Sequence, residues 1–303
     1  MDVYLPIANL AVNGLVIILL GAGTGILSGV FGVGGGFLTT PLLIFYGIPP
    51  TVAAASAATQ VTGASVSGVL AHGQRNGVDY QIGGVTVAGG VIGAGIGALL
   101  FELLESMGQI DTIINILYVV LLGTIGALMG REGLQELRQR GAGRPRAAKR
   151  RHHPLVASLP MRWRFYRSGL YISPLAPLLL GAGVGVLTML MGVGGGFIMV
   201  PAMLYILGMS ANVVVGTSLF NILFVTMATT MMHAMTTKAV DIMLAGLLLL
   251  GSVIGAQIGT RLAQLAKPEI LRLLLAAIVL AIALRMAFGL GVQPNEIYTV
   301  ELL

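Results

Sequence analysis

Eight apolar stretches, each close to 20 residues long, follow one another along this 303-residue chain. A helix that crosses the hydrocarbon core of a bilayer needs about 20 such residues. Because lipid cannot satisfy free backbone groups, only helices and closed barrels span it. The stretches therefore predict an all-α polytopic membrane protein. The expected spans are 10–31, 52–72, 81–101, 112–130, 174–191, 212–234, 241–260 and 270–290.

The composition agrees with a chain embedded in lipid. Charged residues make up 9% of the sequence, whereas soluble domains average about 25%. Of the 17 lysines and arginines, 11 lie between Arg131 and Arg167. This clustering is typical of a cytoplasmic loop that contacts anionic lipid, so residues 131–167 are predicted to bind anionic lipid. No nucleic-acid partner is predicted.

The second half of the chain repeats the first. FGVGGGFLTTPLLI at 31–44, here the first glycine motif, returns as MGVGGGFIMVPAML at 191–204, the second glycine motif. Likewise, VDYQIGG at 78–84 returns as VDIMLAG at 240–246. Short apolar pieces at 36–47 and 196–207 include and follow the glycines and are too short to span unless tilted. The chain thus divides into a first repeat (1–130), a basic cytoplasmic linker (131–170), a second repeat (171–291) and a tail (292–303).

Glycines also recur every four residues on two predicted spans. Small residues at this spacing lie on one helix face and let helix backbones approach closely in lipid. We therefore expect close helix contacts at Gly89, Gly93, Gly97, Gly251, Gly255 and Gly259.

Loop charges indicate how the halves are oriented. The basic linker favours the cytoplasmic side, as do Arg261 and Lys267, whereas the 102–111 turn and the tail carry acidic residues without basic ones. If each short piece completes a crossing, every half has five segments, and an odd number makes the repeats inverted. Re-entrant short pieces would change this count and the sidedness of the termini.

The glycine triplets suggest an anion site. Consecutive glycines let the backbone leave helical geometry, and each triplet then leads into a short apolar helix. The free N–H groups at such a helix start carry partial positive charge and suit an anion. An alternative is that the glycines only permit tight helix crossing.

The duplicated GVGGGFxxxP pattern, the two related halves and the central basic linker resemble the TauE/SafE sulfite exporter family. GTSL at 216–219 matches a second family motif, whereas the first half has ASAA at 55–58. The resemblance implies a multi-pass permease of the cell inner membrane, without a cofactor, for a small sulfur-containing anion such as sulfite, sulfoacetate or another organosulfonate.

The acidic residues agree with an anionic substrate. All 11 lie in loops, at helix ends or near the termini, whereas cation carriers usually place a carboxylate inside a span. Neutral polar groups and backbone dipoles would then hold the substrate, although Gln60 and Asn221 could also only join helices. The candidate substrate-binding residues are Gly34, Gly35, Gly36, Phe37, Thr39, Gln60, Gly194, Gly195, Gly196, Phe197, Thr217, Ser218 and Asn221.

Charged and titratable side chains near the span ends are candidates for gating or proton coupling. These are His72, His233, Arg75 and Lys238; the alternative is that they anchor helix ends at the membrane interface. Asp79 and Asp241 precede predicted helices and are expected to be N-caps. Arg285 is expected to extend to the interface.

The predicted function is export by alternating access, driven by the proton gradient or by the anion's own gradient. Uptake, or passage of another small anion or solute, is the alternative. An intramembrane enzyme would need a nucleophile with its base or a metal-ligand cluster. The predicted spans contain neither, so neither catalysis nor a metal site is predicted.

Overall fold

The computed structural model describes residues 2–31, 34–74, 77–140, 163–265 and 268–291. Within these ranges the elements have the same order in both halves. The first half has β1 (Asp2–Leu5), β2 (Leu10–Asn13), α1 (Gly14–Phe31), α2 (Gly36–Phe45), α3 (Pro50–Gln74), α4 (Tyr80–Ser106) and α5 (Ile110–Arg140). The second half has β3 (Trp163–Phe165), β4 (Leu170–Ile172), α6 (Leu175–Met191), α7 (Gly196–Tyr205), α8 (Ala211–Met235), α9 (Ile242–Leu265) and α10 (Pro268–Gly291).

Five helices of the described chain are long and apolar enough to cross a membrane, where the sequence predicts eight. These are α4, α5, α8, α9 and α10. The helices α1 and α6 fall short because each ends at a glycine motif. The 25-residue α3 is long enough to span, but it is less apolar, because it carries Ser56, Thr59 and Gln60, and it is not among these five helices. The chain is a multi-pass helical membrane protein, and five of its helices in the described ranges could each cross a membrane on their own length and hydropathy.

Two β-hairpins make the all-α prediction incomplete. The strands β1 and β2 pair antiparallel with Leu5 opposite Leu10, and β3 and β4 pair with Phe165 opposite Leu170. Each hairpin directly precedes the first helix of its half. The side chains of Leu5 and Phe165 in the two hairpins are buried. Strands of three or four residues give almost no alternating pattern, which is why the sequence does not reveal them.

The main helix contacts join one half to the other. Helix α1 packs along α9, α6 along α4, α3 along α8, and α5 along α10. The predicted glycine contacts are confirmed: a Cβ atom at Gly93 would lie 2.0 Å from the carbonyl oxygen of Ala182, and one at Gly255 would lie 2.1 Å from that of Ala22. Backbones this close need glycine, so the two halves are interlocked through α4–α6 and α1–α9.

Contacts along the helices give their relative directions. The Thr59 hydroxyl donates to that of Thr230 and the Thr62 hydroxyl to that of Thr226, so α3 and α8 are antiparallel. The contacts between α1 and α9 advance in the same direction along both helices, since Gly21 meets Leu248 and Gly29 meets Ala256. These two helices are therefore parallel.

The short helix α2 runs back along α3. Its first residue, Gly36, contacts Val61 in the middle of α3, while residues 46–49 join its end to the beginning of α3. Helix α3 runs parallel to α9, because Ser56 meets Asp241 and Gly63 meets Leu249. Helix α1 is also parallel to α9, so α1 and α2 run in opposite directions and form a re-entrant pair around the first glycine motif.

Candidate functional site

The two glycine motifs meet at the centre of the molecule. A Cβ atom at Gly36 would lie 2.8 Å and 2.9 Å from the carbonyl oxygens of Gly192 and Val193. The rings of Phe37 and Phe197 stack with centroids 4.3 Å apart and planes inclined by 4°, and their side chains are 0% and 2% exposed. Segments 160 residues apart in sequence therefore form one contact.

This contact lies halfway along the central helices. Gly34 and Gly194 both approach Val61 of α3 and Ile222 of α8, with hypothetical Cβ distances between 2.6 Å and 3.7 Å for the nearest atoms. Val61 and Ile222 are each the twelfth residue of a 25-residue helix. The glycine motifs are therefore enclosed by protein at mid-depth, where a broken helix can be tolerated in a membrane.

Four glycines of the two motifs are required by their backbone conformation. Gly34, Gly192, Gly194 and Gly195 have φ of +79°, +70°, +74° and +73°, in the left-handed region that other residues enter only at a cost. Gly35, the repeat partner of Gly195, has φ of −68° instead. The two breaks therefore share a sequence but differ in conformation.

At each glycine motif the helical path is interrupted, and this break presents the N-terminal end of a short helix. The first helical bonds of α2 and α7 are donated by Leu38 and Ile198 to the carbonyl oxygens of Gly35 and Gly195. The N–H groups of the residues before them lie outside the helical ladder, at the end that carries partial positive charge. Two such ends converge on the central contact.

Two buried amides flank the breaks. Gln60 precedes Val61 on α3, Asn221 precedes Ile222 on α8, and their side chains are 1% and 0% exposed. In the described part of the protein, Gln60 Oε1 and both Asn221 Oδ1 and Nδ2 lack a hydrogen-bond partner. Leaving a buried polar group unpaired costs about 1–3 kcal/mol. Repeat-related amides with this cost are suited to hold a ligand or water.

The predicted hydroxyls are already bonded within the protein. Thr39 Oγ1 donates to the Gly35 carbonyl at 3.0 Å, and Ser218 Oγ donates to Val215 at 2.9 Å. Thr217 Oγ1 donates to the Val213 carbonyl at 2.7 Å. The structure thus brings together the predicted glycines, the phenylalanines and the two amides, while the hydroxyls bond to backbone.

The carbonyl end of α6 is capped by side chains that sequence reasoning missed. The Met191 carbonyl accepts from Tyr118 Oη at 2.6 Å and from Thr40 Oγ1 at 3.3 Å. The repeat partner of Thr40 is Val200, which has no hydroxyl. A helix C-terminus carries partial negative charge, so these donors offset a field that would oppose an anion. A tyrosine inside a predicted span was the available signal, because a buried phenol needs a partner.

His233 also supports the end of α6. Its Nε2 lies 2.9 Å from the Met189 carbonyl oxygen, its Nδ1 lies 3.1 Å from Thr237 Oγ1, and its ring meets the Phe101 ring edge-on. Both ring nitrogens are thus engaged. Lys238 is exposed and its backbone N–H donates to the His233 carbonyl. The predicted His72 side chain and Arg75 lie outside the described residues.

The predicted N-caps are confirmed. Asp79 Oδ1 accepts from the backbone N–H groups of Gln81 and Ile82 at the start of α4. Asp241 Oδ1 does the same for Met243 and Leu244 at the start of α9. Both carboxylates are buried at helix ends, away from mid-span positions.

Each capping aspartate also joins the halves. Asp79 Oδ2 accepts from the Ser168 backbone in the β3–β4 turn, and Asp241 Oδ2 accepts from Ile7 in the β1–β2 turn. The backbone N–H of Asp79 donates to Thr217 Oγ1 at 2.9 Å, and that of Asp241 donates to Ser56 Oγ at 3.2 Å. The matching of Ser56 and Thr217 in the repeat therefore has a structural explanation.

Comparison with known proteins agrees with this architecture. The sequence profile described as Sulfite exporter TauE/SafE matches residues 17–286, nearly the whole chain. The chain belongs to the TauE/SafE sulfite exporter family. No solved structure matches this TauE/SafE chain.

Curated relatives of this family member are named as transporters. The probable membrane transporter protein YjnA of Bacillus subtilis (strain 168) is 28% identical over 273 residues, covering 89% of this chain and 98% of the relative. A probable membrane transporter protein of Xylella fastidiosa (strain Temecula1) is 27% identical over 274 residues, covering 88% and 93%. This TauE/SafE protein is accordingly a membrane transporter and not an enzyme.

Proposed function

We propose that this TauE/SafE protein is a secondary transporter that exports a small sulfur-containing anion by alternating access. Sulfite, sulfoacetate or a related organosulfonate would bind between the two glycine motifs. The observation that carries this proposal is Asn221, which is 0% exposed with both polar side-chain atoms unpartnered beside two converging helix N-termini. An anionic oxygen can accept from Asn221 Nδ2 and from free N–H groups of α2 and α7.

The charges near the site favour an anion over a cation. The buried carboxylates of Asp79 and Asp241 are occupied by helix caps and hairpin turns. The carbonyls at the end of α6 accept from Tyr118 and Thr40 and approach His233. With the Met189 and Met191 carbonyl oxygens engaged, the N-terminal ends of α2 and α7 would attract negative charge.

The direction of corresponding helices supports inverted repeats. Helices α3 and α8 occupy equivalent places in the two halves and are antiparallel. So are α5 and α10, because Gly126 meets Leu280 while Gly133 meets Leu273. In transporters with inverted repeats, substrates bind near mid-depth at broken helices between the repeats. The central contact of the glycine motifs would suit such a site. If each half has one re-entrant pair and three crossings, the number of crossings per half is still odd, and the loop charges would put both termini outside.

Site membership follows from which groups have bonding capacity left. We assign the substrate contacts to residues 34–37 and 194–197, Gln60 and Asn221. Thr39, Thr217 and Ser218 would act by holding backbone, and His233 by positioning the end of α6. Residues 131–167 would contact anionic lipid at the cytoplasmic face. Uptake is the alternative to export, because the same site serves both directions.

Flux into proteoliposomes tests the proposal. We expect saturable uptake of at least one of radiolabelled sulfite and sulfoacetate, with no uptake of sodium or choline. Measuring flux separately through inside-out and right-side-out protein distinguishes export from import. Transport of a cation with no response to any sulfur-containing anion would refute the assigned substrate class.

A charge introduced at the amide tests the site. Asn221→Asp keeps the shape of the side chain but adds negative charge at mid-depth, so anion flux should fall at least tenfold. Asn221→Ala should lower anion flux less than Asn221→Asp does. Gln81→Glu, at an exposed position in the first turn of α4, is the matched control and should leave flux unchanged. Equal flux in wild type and Asn221→Asp would remove Asn221 from the site.

A further inference from the structure

An open cavity of about 440 Å³ lies away from the central site, between the end of α2, the first turns of α5 and the end of α10. Phe45, Asn115 and Arg285 line it together with apolar side chains of α10. Phe45 is the last residue of α2, so the cavity lies at the opposite end of the re-entrant helix from the first glycine motif.

Arg285 is an ionisable side chain inside a membrane-spanning segment. It belongs to the span Leu273–Gly291, six residues before its end, which is about 9 Å along the helix axis. Its guanidinium lies 4.9 Å from the centroid of the Phe45 ring. A guanidinium that stacks through its face keeps the N–H groups of its edge available for hydrogen bonds.

The charge of Arg285 is not neutralised by a carboxylate among the described residues. The acidic residue one helical turn from Asn115 is Asp111, and its carboxylate lies near the backbone N–H of Thr51 at the beginning of α3. Arg285 is exposed, and a cation near the end of a spanning segment either extends to the interface, as the sequence predicts, or marks an ion pathway or a bound ligand.

Asn115 has bonding capacity left in the same cavity. Its Oδ1 is buried and has no hydrogen-bond partner within the described chain. The two amide atoms are interchangeable by a half-turn about the last side-chain torsion. Asn115 can thus present its NH₂ group to the cavity that Arg285 also lines. A cation and an amide donor in one cavity have the chemistry that an oxyanion requires.

We propose that Arg285 and Asn115 form a second oxyanion site in this open cavity. The oxyanion is either the transported sulfur-containing anion, in which case the site rests on the proposed function, or the phosphate of an anionic lipid. From Gly36 to Phe45 the helix α2 rises by nine residues, about 14 Å. An anion at Arg285 would therefore lie near the C-terminal end of the helix whose N-terminal end borders the central site, and the charge of Arg285 would offset the partial negative charge of that C-terminal end.

A single fluorescent label can report on this cavity, because the chain has no cysteine. Leu290→Cys places a label at the cavity wall. Full-length labelled protein in nanodiscs of phosphatidylcholine is titrated with sodium sulfate and with sodium sulfite. We expect a saturable change in fluorescence for at least one anion. Arg285→Gln should raise its apparent Kd at least tenfold, which is about 1.4 kcal/mol.

Two further variants serve as comparisons. Arg285→Lys should fall between wild type and Arg285→Gln, because lysine keeps the charge but loses the bidentate geometry. Arg131→Gln removes an exposed positive charge near the other end of α5 and should leave the Kd unchanged. Retention of the monodisperse elution profile in each variant excludes misfolding as the cause.

Nanodiscs that contain phosphatidylglycerol distinguish the two sources of the oxyanion. If the site holds a lipid phosphate, the sulfate response disappears in these discs, and native mass spectrometry retains phosphatidylglycerol on wild type but not on Arg285→Gln. If the site holds the transported anion, the response is the same in both discs. An identical fluorescence response and identical lipid retention in wild type and Arg285→Gln would overturn the proposal. If that result came with normal anion flux in wild type, the proposed central site would be unaffected. If wild type transported no sulfur-containing anion at all, the proposed function would be refuted instead.

Discussion

Replacing Gly195 by alanine tests whether the second glycine motif needs its left-handed backbone. Gly195 has φ of +73° and ψ of −11°, and an added Cβ atom would lie 2.2 Å from Val184 Cγ1. Val184 is buried in α6, so its side chain has no open space to move into. The substitution therefore combines backbone strain with overpacking at the proposed site.

The two contributions can be worked out separately. A left-handed conformation costs an L-residue roughly 1–2 kcal/mol. Overpacking of a well-packed interior by one carbon costs about 1–3 kcal/mol. Together these predict that Gly195→Ala lowers the free energy of unfolding by about 2–5 kcal/mol.

Two other glycines provide matched controls. Gly35 is the repeat partner of Gly195, but its φ of −68° suits any residue and its nearest neighbour to a Cβ atom, the Thr24 carbonyl oxygen, would be at 3.2 Å. Gly35→Ala should change stability by less than about 1 kcal/mol, because the N-cap residue Gly35 has a backbone conformation that alanine can adopt, and the smaller entropy of the unfolded chain offsets the tight contact. Gly183→Ala, on an exposed face of α6 with nothing within 4 Å, should be neutral or stabilising.

The assay is thermal unfolding in detergent, followed by anion flux in proteoliposomes. We expect Gly195→Ala to lose both stability and flux, Gly35→Ala to retain most of its stability, and Gly183→Ala to match wild type in both. If Gly195→Ala were as stable and as active as Gly183→Ala, the left-handed break would be dispensable. If Gly35→Ala lost as much stability as Gly195→Ala, the conformational difference between the two breaks would be refuted.

Two further predictions concern the contacts that hold the halves and the break together. Gly93→Ala should destabilise the protein by about 3 kcal/mol or more, because its Cβ atom would lie 2.0 Å from a backbone oxygen that cannot move aside, whereas Gly84→Ala on the open face of α4 should have little effect in the same thermal assay. Tyr118→Phe keeps the ring but removes the 2.6 Å hydrogen bond to Met191. It should lower stability by about 1–2 kcal/mol and reduce flux, with the exposed Tyr171→Phe as control. Unchanged unfolding of Gly93→Ala or Tyr118→Phe would contradict the corresponding contact.

Local patterns in the sequence were sufficient where one element decides the outcome. The capping positions of Asp79 and Asp241 were predictable because a cap depends on the next few residues only. The close helix contacts of Gly93 and Gly255 were predictable because small residues at intervals of four have one main use in lipid. The two β-hairpins were not predictable, because strands this short leave no periodic signal.

Side-chain partners were harder to predict when they come from distant segments. Thr217 looked like a ligand residue, yet its hydroxyl accepts from the backbone of Asp79, 138 residues away. Tyr118 is not among the predicted site residues, although it caps the carbonyl end of α6 next to the central contact. Both assignments depend on which helices pack together, and the apolar pattern of each helix is compatible with many partners.

The sequence by itself determined that the chain is a multi-pass helical membrane protein of two related halves, because span length, glycine spacing and repeats are local or periodic properties. Tertiary structure decided that α1 packs on α9 and α4 on α6, and that the two glycine motifs meet at Phe37 and Phe197. It also decided which polar atoms near that contact lack partners, such as those of Asn221. The physical reason is that a hydrogen bond or a vacancy is a relation between segments. Only their mutual packing shows whether a buried group is already satisfied.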